Sequence, residues 1–135
     1  MKDYRITIKS TIDGETNEVI TLGSVLREYG FTTVRYEDAD SSDPTKIVIG
    51  DGIISIAREG ELNSVLTFEK DKVYSANLVT AFGEIPVEVK TLDVSAEETG
   101  GNVDMKLDYI TDFGGKSSRF NISLKAEKLD LYPRV

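Results

Sequence analysis

The chain has 135 residues, no cysteine, no histidine and a formal net charge of −8, from 24 acidic and 16 basic side chains. Without cysteine or histidine it cannot form disulfides or thiolate metal sites, and neither residue can serve as nucleophile or general base. The negative charge disfavours nucleic acids and anionic membranes as partners. No apolar run is long enough for a signal peptide or a transmembrane helix, so we expect a cytoplasmic protein with a single domain over residues 1–135.

The first elements in chain order are predicted as an antiparallel strand pair. Apolar and polar residues alternate from Tyr4 to Ile8, which indicates a strand. The Asp13-Gly14 pair that follows is typical of a two-residue hairpin. A second strand is expected from about Glu18 to Arg27, and we interpret the short helix-like stretch at 24–30 as part of strand structure.

The rest of the chain is a series of strand-length segments separated by turn residues. The clearest strands have alternating apolar residues at 85–89, 103–109 and 120–126, and residues 95–102 are predicted to form a loop. The strand at 72–80 has two candidate inward faces, and we favour the face with Tyr74 and Leu78 over the one with Ser75 and Asn77. This pattern predicts an all-β fold, namely one antiparallel up-and-down barrel of about 8 to 10 strands.

The run "ISIAREGELNSVLTFEKDKVYSANLVTAFGEIPVEVKT", residues 54–91, resembles the YwiB-like family of uncharacterised small bacterial proteins, a domain of unknown function. The matching features are the turn Arg58–Gly60, the strand end Leu66–Glu69 and the hairpin Thr80–Gly83. The resemblance implies a calycin-like barrel, related in shape to lipocalins and fatty-acid-binding proteins, and it implies no activity. The chain has no tryptophan and therefore lacks the Gly-x-Trp motif of lipocalins.

Arg58 is the most informative candidate for a binding residue. By alternation it shares a face with Ile54 and Ile56, which predicts a guanidinium at the mouth of the barrel. A buried arginine needs a partner, and Glu37 or Glu69 could supply one. The alternative is that Arg58 anchors a carboxylate or phosphate of a ligand.

We predict a non-catalytic protein that binds a small, partly apolar ligand in the lumen or at the rim of the barrel, with no metal and no cofactor. The residues expected to contact the ligand are Tyr36, Glu37, Arg58, Ser64, Tyr74 and Phe82. The alternative is a structural or interaction module with a filled barrel, which acts through its outer surface or as a homodimer.

Two further features receive structural interpretations. The acidic segment Glu37–Asp43 does not match the spacing of an EF-hand loop, so we interpret it as a solvated acidic loop. The tetrapeptide Thr-x-Phe-Gly occurs at Thr80–Gly83 and again at Thr111–Gly114. We interpret it as one type of turn used twice, with glycine at a positive φ angle and phenylalanine covering an end of the barrel.

Overall fold

The computed structural model describes residues 2–37, 43–60 and 63–129, and these form ten strands, which confirms the all-β prediction. The strands are β1 (Tyr4–Ile12), β2 (Glu15–Glu28), β3 (Phe31–Glu37), β4 (Pro44–Gly50), β5 (Ile53–Arg58), β6 (Ser64–Glu69), β7 (Val73–Thr80), β8 (Gly83–Thr99), β9 (Asn102–Phe113) and β10 (Lys116–Lys128). Within these ranges, no helix has the length and apolar character needed to cross a bilayer.

The strands form one antiparallel sheet in the order β6-β5-β4-β3-β2-β1-β10-β9-β8-β7. The first and last strands of this order, β6 and β7, meet at a single bridge between Asn63 and Val79. These two residues exchange backbone hydrogen bonds of 3.0 Å and 2.9 Å. The sheet therefore closes into a barrel of the calycin type, and the junction of β6 and β7, here called the seam, is its least bonded part.

Tight turns explain why consecutive strands are neighbours in the sheet. At Asp13-Gly14 both residues have positive φ, 48° and 90°, as a type I′ hairpin turn requires. The same combination occurs at Asp51-Gly52, with φ angles of 53° and 73°. The loop predicted at 95–102 is wrong, because β8 continues to Thr99 and only Gly100-Gly101 turns the chain.

Alternate side chains point inward and fill the middle of the barrel. The buried residues that form the core cluster are Tyr4, Ile6, Val34, Ile47, Ile54, Ile56, Phe68, Val89, Val103, Met105, Leu107, Tyr109, Leu124 and Ala126. Three aromatic rings are in contact across the interior, with Tyr109 at 4.6 Å from Phe68 and 4.9 Å from Phe120 between ring centroids. The barrel interior at this level is occupied by side chains.

A polar network joins β2, β3 and β8 at the end of the barrel that lies opposite Arg58. Arg27 Nε donates to Glu98 Oε1 at 2.6 Å, and Thr32 Oγ1 donates to Glu98 Oε2 at 2.8 Å. Partial burial works to raise the pKa of Glu98, but these two hydrogen bonds and the Arg27 charge outweigh it, so the pKa is lowered. The network therefore holds the ionised carboxylate and ties the end of β8 to β2 and β3.

Candidate functional site

Three residues predicted to contact a ligand lie in one row across the sheet. Tyr36 on β3 is paired with Thr45 on β4, Thr45 with Arg58 on β5, and Arg58 with Ser64 on β6. Directly opposed residues in a sheet point to the same side, and Thr45 is buried, so this row faces the interior. The register thus brings Tyr36, Arg58 and Ser64 together at one end of the barrel.

Arg58 lies at the end of β5 and keeps an exposed side chain, although it shares the inward face of Ile54 and Ile56 as predicted. Its predicted ion pair with Glu37 or Glu69 is wrong. Glu37 instead lies 3.7 Å from the Lys2 ammonium, and Glu69 accepts a hydrogen bond of 2.7 Å from the Tyr74 hydroxyl. Among the residues that the structure describes, Arg58 has no ion pair and no hydrogen bond from its side chain.

Tyr109 on β9 is a buried residue that lies within the electrostatic reach of Arg58. The residue is only 5 % exposed, and its hydroxyl makes no hydrogen bond to the described part of the chain. Burial raises the pKa of Tyr109 to about 12, and the positive charge of Arg58 opposes this shift. The hydroxyl oxygen is not among the fully buried polar atoms without a partner, so it keeps some contact with solvent.

Thr91 on β8 is the register partner of Tyr109, and it carries a hydroxyl in the interior of the barrel. It is 0 % exposed, and its Oγ1 has no hydrogen-bond partner within the described ranges. The adjacent register shift between Thr91 and Asp93 interrupts the regular ladder at this point. Within the described ranges, Thr91 Oγ1 is thus the one fully buried side-chain polar atom that lacks a partner.

A cleft of about 340 Å³ opens at the seam beside Arg58, and we call it the seam cleft. Its polar lining comes from Arg58, Glu59, Asn63, Ser64 and Asn77, and its apolar lining comes from Ala57, Val65 and Val79. Val65 and Val79 are 58 % and 40 % exposed, so their surface is available to a ligand. The volume lies at the lower end of the range typical of small-molecule pockets, about 300–1,000 Å³.

The remaining predicted residues are distributed differently. Tyr74 lies on the more buried face of β7, together with Ala76, Leu78 and Thr80. The residues of the other face, which include Ser75 and Asn77, are exposed, so the prediction that the Tyr74 face points inward is confirmed. Its hydrogen bond to Glu69, with a smaller effect of burial, raises the pKa of Tyr74. Tyr74 and Glu69 thus satisfy each other, and neither lines the seam cleft.

Phe82 does not cover the barrel end, and that part of the prediction is wrong. Its side chain is fully exposed at the tip of the turn between β7 and β8. The turn is held by Thr80, whose hydroxyl accepts from the Phe82 amide at 3.1 Å and donates to the Gly83 carbonyl at 2.8 Å. Phenylalanine was misplaced because an apolar residue next to a turn was assumed to be buried.

The two Thr-x-Phe-Gly segments also occupy different turn positions. Phe82 lies within its turn, whereas Phe113 is the last residue of β9 and Gly114-Gly115 form the turn. Gly83 and Gly114 both have positive φ, 121° and 60°, as predicted. The interpretation of one turn type used twice is therefore wrong, although the requirement for glycine is confirmed.

Most of the predicted acidic loop Glu37–Asp43 lies outside the described residues. Within the described ranges, no group of carboxylates is arranged to hold a metal ion. Neither Tyr109 nor Thr91 was among the predicted site residues. No sequence signal could have found them, because the partners of a side-chain hydroxyl depend on its three-dimensional surroundings.

The fold and the site define the class of protein: a ten-stranded antiparallel barrel of the calycin type, with a cleft at its seam and, beside it, an arginine that has no ion pair within the described ranges. The model of the domain of unknown function DUF1934 matches residues 4–124, so the chain belongs to this family. The crystal structure of ywiB protein from Bacillus subtilis has a similar fold, with a TM-score of 0.84 and 20 % identity, over 94 % of this chain and 92 % of that chain. No curated protein matches the chain.

Proposed function

We propose that the barrel binds a small, partly apolar ligand in the seam cleft, with an acidic group of the ligand bound by Arg58. The observation that carries this proposal is that Arg58 lines the seam cleft and has no ion pair or side-chain hydrogen bond within the described residues. The Arg58 guanidinium can donate two parallel hydrogen bonds to one carboxylate-like group, and the Ser64 hydroxyl in the same cleft can donate another. The proposal assigns binding and no catalysis to the protein.

The energetic argument concerns polar groups that folding leaves without partners. Within the described residues, the guanidinium of Arg58 has no protein partner, so a ligand need not displace one. The Arg58 guanidinium would supply the stronger contact, because a hydrogen bond to a charged group contributes about 1.5–3 kcal/mol. The ligand group would thus satisfy a need that the described protein leaves open.

The apolar part of the ligand is assigned to the outer half of the seam cleft. Ala57, Val65 and Val79 line this half, and the two valines are exposed. The rim is favoured over the deep lumen because Phe68, Tyr109 and Phe120 already fill the interior. A ligand with one acidic group and an apolar body of modest size matches this division of the cleft.

Anilinonaphthalene sulfonate (ANS) is a suitable probe, because it joins an anionic group to an apolar ring system and fluoresces when water is excluded. We expect saturable ANS binding to the wild type. We expect Arg58→Gln to weaken it about 10- to 100-fold, which is the loss of one charge-assisted hydrogen bond. The measurement is a fluorescence titration of both proteins at constant ionic strength.

Arg5→Gln is the matched control. Arg5 pairs with Glu127 at 3.3 Å on the outer face, so the substitution removes the same charge away from the seam cleft. ANS affinity should be unchanged in this variant. Equal affinity in the wild type and in Arg58→Gln, or no saturable binding at all, would contradict the proposed function.

The alternative function, an interaction module that acts as a homodimer, has one specific observation in its favour. Ile20, Leu22 and Leu26 are 58 %, 48 % and 50 % exposed at alternate positions of β2, so they share the outer face of the strand. A second copy of the chain could bury this apolar stripe. Light scattering after size exclusion tests it: a dimer that becomes a monomer in Ile20→Thr/Leu22→Thr supports the alternative, and a wild-type monomer rejects it.

A further inference from the structure

A row of outward-facing side chains places two cations side by side on the wall of the barrel. Ser24 on β2 is paired with Arg35 on β3, Arg35 with Lys46 on β4, and Lys46 with Ala57 on β5. We call these four residues the cation row. Arg35 and Lys46 are both exposed, and like charges directly opposite in a sheet repel each other.

Within the described ranges, neither cation of the row forms an ion pair. The cations that form ion pairs in the described ranges are Lys2, Arg5, Lys9, Arg27, Lys70 and Arg119. Arg35 and Lys46 are absent from this set and have no hydrogen bond from their side chains to the described residues. This arrangement is unexpected in a chain with 24 acidic and 16 basic residues, where a carboxylate partner is easily supplied.

The cation row forms the floor of an open groove on the outer face. The groove has a volume of about 500 Å³, and besides the row it is lined by Lys2, Tyr36, Glu37, Pro44, Thr45 and Glu59. Of its two carboxylates, Glu37 is engaged by Lys2 at 3.7 Å. Ser24 is the neighbour of Arg35 in the row, and Ala57 is the neighbour of Lys46. Both side chains are small, so they leave space on either side of the two cations.

We infer that this outer groove binds the phosphate group of a small molecule between Arg35 and Lys46. Arginine presents two parallel donors to a phosphate, lysine supplies a point charge, and the Ser24 hydroxyl can donate a further hydrogen bond. A phosphate with about two negative charges near neutral pH turns the repulsion between the two cations into a shared attraction. Because the chain as a whole repels anions, such binding depends on this local pair.

The test compares thermal stability with inorganic phosphate against sodium chloride of equal ionic strength. In chloride, Arg35→Gln and Lys46→Gln should be at least as stable as the wild type, because each relieves the repulsion. In phosphate the order should reverse, since only the wild type gains stability from the bound anion. Calorimetric titration should show an affinity for phosphate at least about tenfold weaker in each variant.

Two controls separate this groove from other sites. Lys9→Gln removes a cation that pairs with Glu18 at 3.6 Å, and Arg58→Gln removes the cation of the seam cleft. Both variants should keep the stabilisation by phosphate. Because Arg58 does not line the outer groove, this test can succeed even if ligand binding in the seam cleft is disproved. The inference is overturned if phosphate acts on the wild type no differently from chloride, or if Arg35→Gln keeps the full response.

The source of the phosphate group is distinguished with phenyl phosphate, titrated into Arg58→Gln so that the seam cleft does not contribute. Tighter binding of phenyl phosphate than of inorganic phosphate assigns a phosphate monoester, whose organic part would lie over Ala57 and Pro44. Equal binding assigns free phosphate. If Arg35→Gln loses the binding of either ligand, the phosphate site in the groove is supported. If it keeps the binding of both, the site is contradicted.

Discussion

Replacing Tyr109 by phenylalanine tests whether its hydroxyl lacks a partner. The substitution removes one polar atom of a buried residue and leaves the aromatic packing against Phe68 and Phe120 in place. A fully buried, unsatisfied polar group costs about 1–3 kcal/mol, and the Tyr109 hydroxyl keeps some contact with solvent, which argues for the lower end. We therefore expect Tyr109→Phe to stabilise the protein by about 1 kcal/mol, which raises Tm by about 3 °C for a chain of this length.

A pH series adds a second readout of the same hydroxyl. Burial raises the pKa of Tyr109 from 10.0 to about 12. Between these values the unfolded chain loses the tyrosine proton while the folded chain retains it, so stability falls as pH rises through this window. The fall attributable to Tyr109 is about 3 kcal/mol at most, and Tyr109→Phe should remove it.

Tyr29→Phe is the matched control, because Tyr29 is 94 % exposed in the turn between β2 and β3. It removes the same atom from a solvated position and should leave both Tm and its dependence on pH unchanged. The assay is denaturant unfolding at a series of pH values up to 12. A clear loss of stability in Tyr109→Phe at neutral pH would refute the reasoning, since it would mean that the hydroxyl has a partner.

Three further substitutions have expected outcomes. Gly23→Ala should destabilise by about 2 kcal/mol or more in chemical denaturation, because the new Cβ would lie 2.3 Å from the Arg35 carbonyl oxygen, and unchanged stability would contradict this close packing. Glu98→Gln should flatten the dependence of Tm on pH in acid. Because the pKa of Glu98 is lowered in the folded state, its contribution to stability is present above pH 4.5 and is lost as pH falls. A wild-type profile in this variant would contradict the Arg27–Glu98 contact. Gly83→Ala should cost about 1 kcal/mol, because alanine disfavours a φ of 121°, and an unchanged Tm would count against a strained turn.

The fold was largely predictable because its signals are local. Alternation sets which side chains are buried, as in 103–109, and a pair such as Asp13-Gly14 fixes the turn that joins two strands. The prediction of a loop at 95–102 failed because charged residues in an exposed strand look like loop residues. Their place in β8 depends on the pairing with β9, which is a long-range property.

The candidate site was predictable only in part. The end of an apolar strand was enough to select Arg58, and the register then placed Tyr36 and Ser64 in its row. The sequence could not show that Arg58 lacks an ion pair, or that Tyr109 lacks a hydrogen bond, because both facts depend on where every neighbouring group lies. The seam cleft likewise exists only through the meeting of β6 and β7.

Amide NMR spectra recorded during a titration with octanoate test the central claim most directly, namely that the seam cleft holds a partly apolar acid at Arg58. Octanoate should shift the amide signals of Arg58, Ser64 and Asn77, and 1-octanol, which has the same chain without the charge, should bind more weakly. Both effects should disappear in Arg58→Gln. Shifts confined to other parts of the barrel, or equal shifts with the arginine removed, would contradict the account.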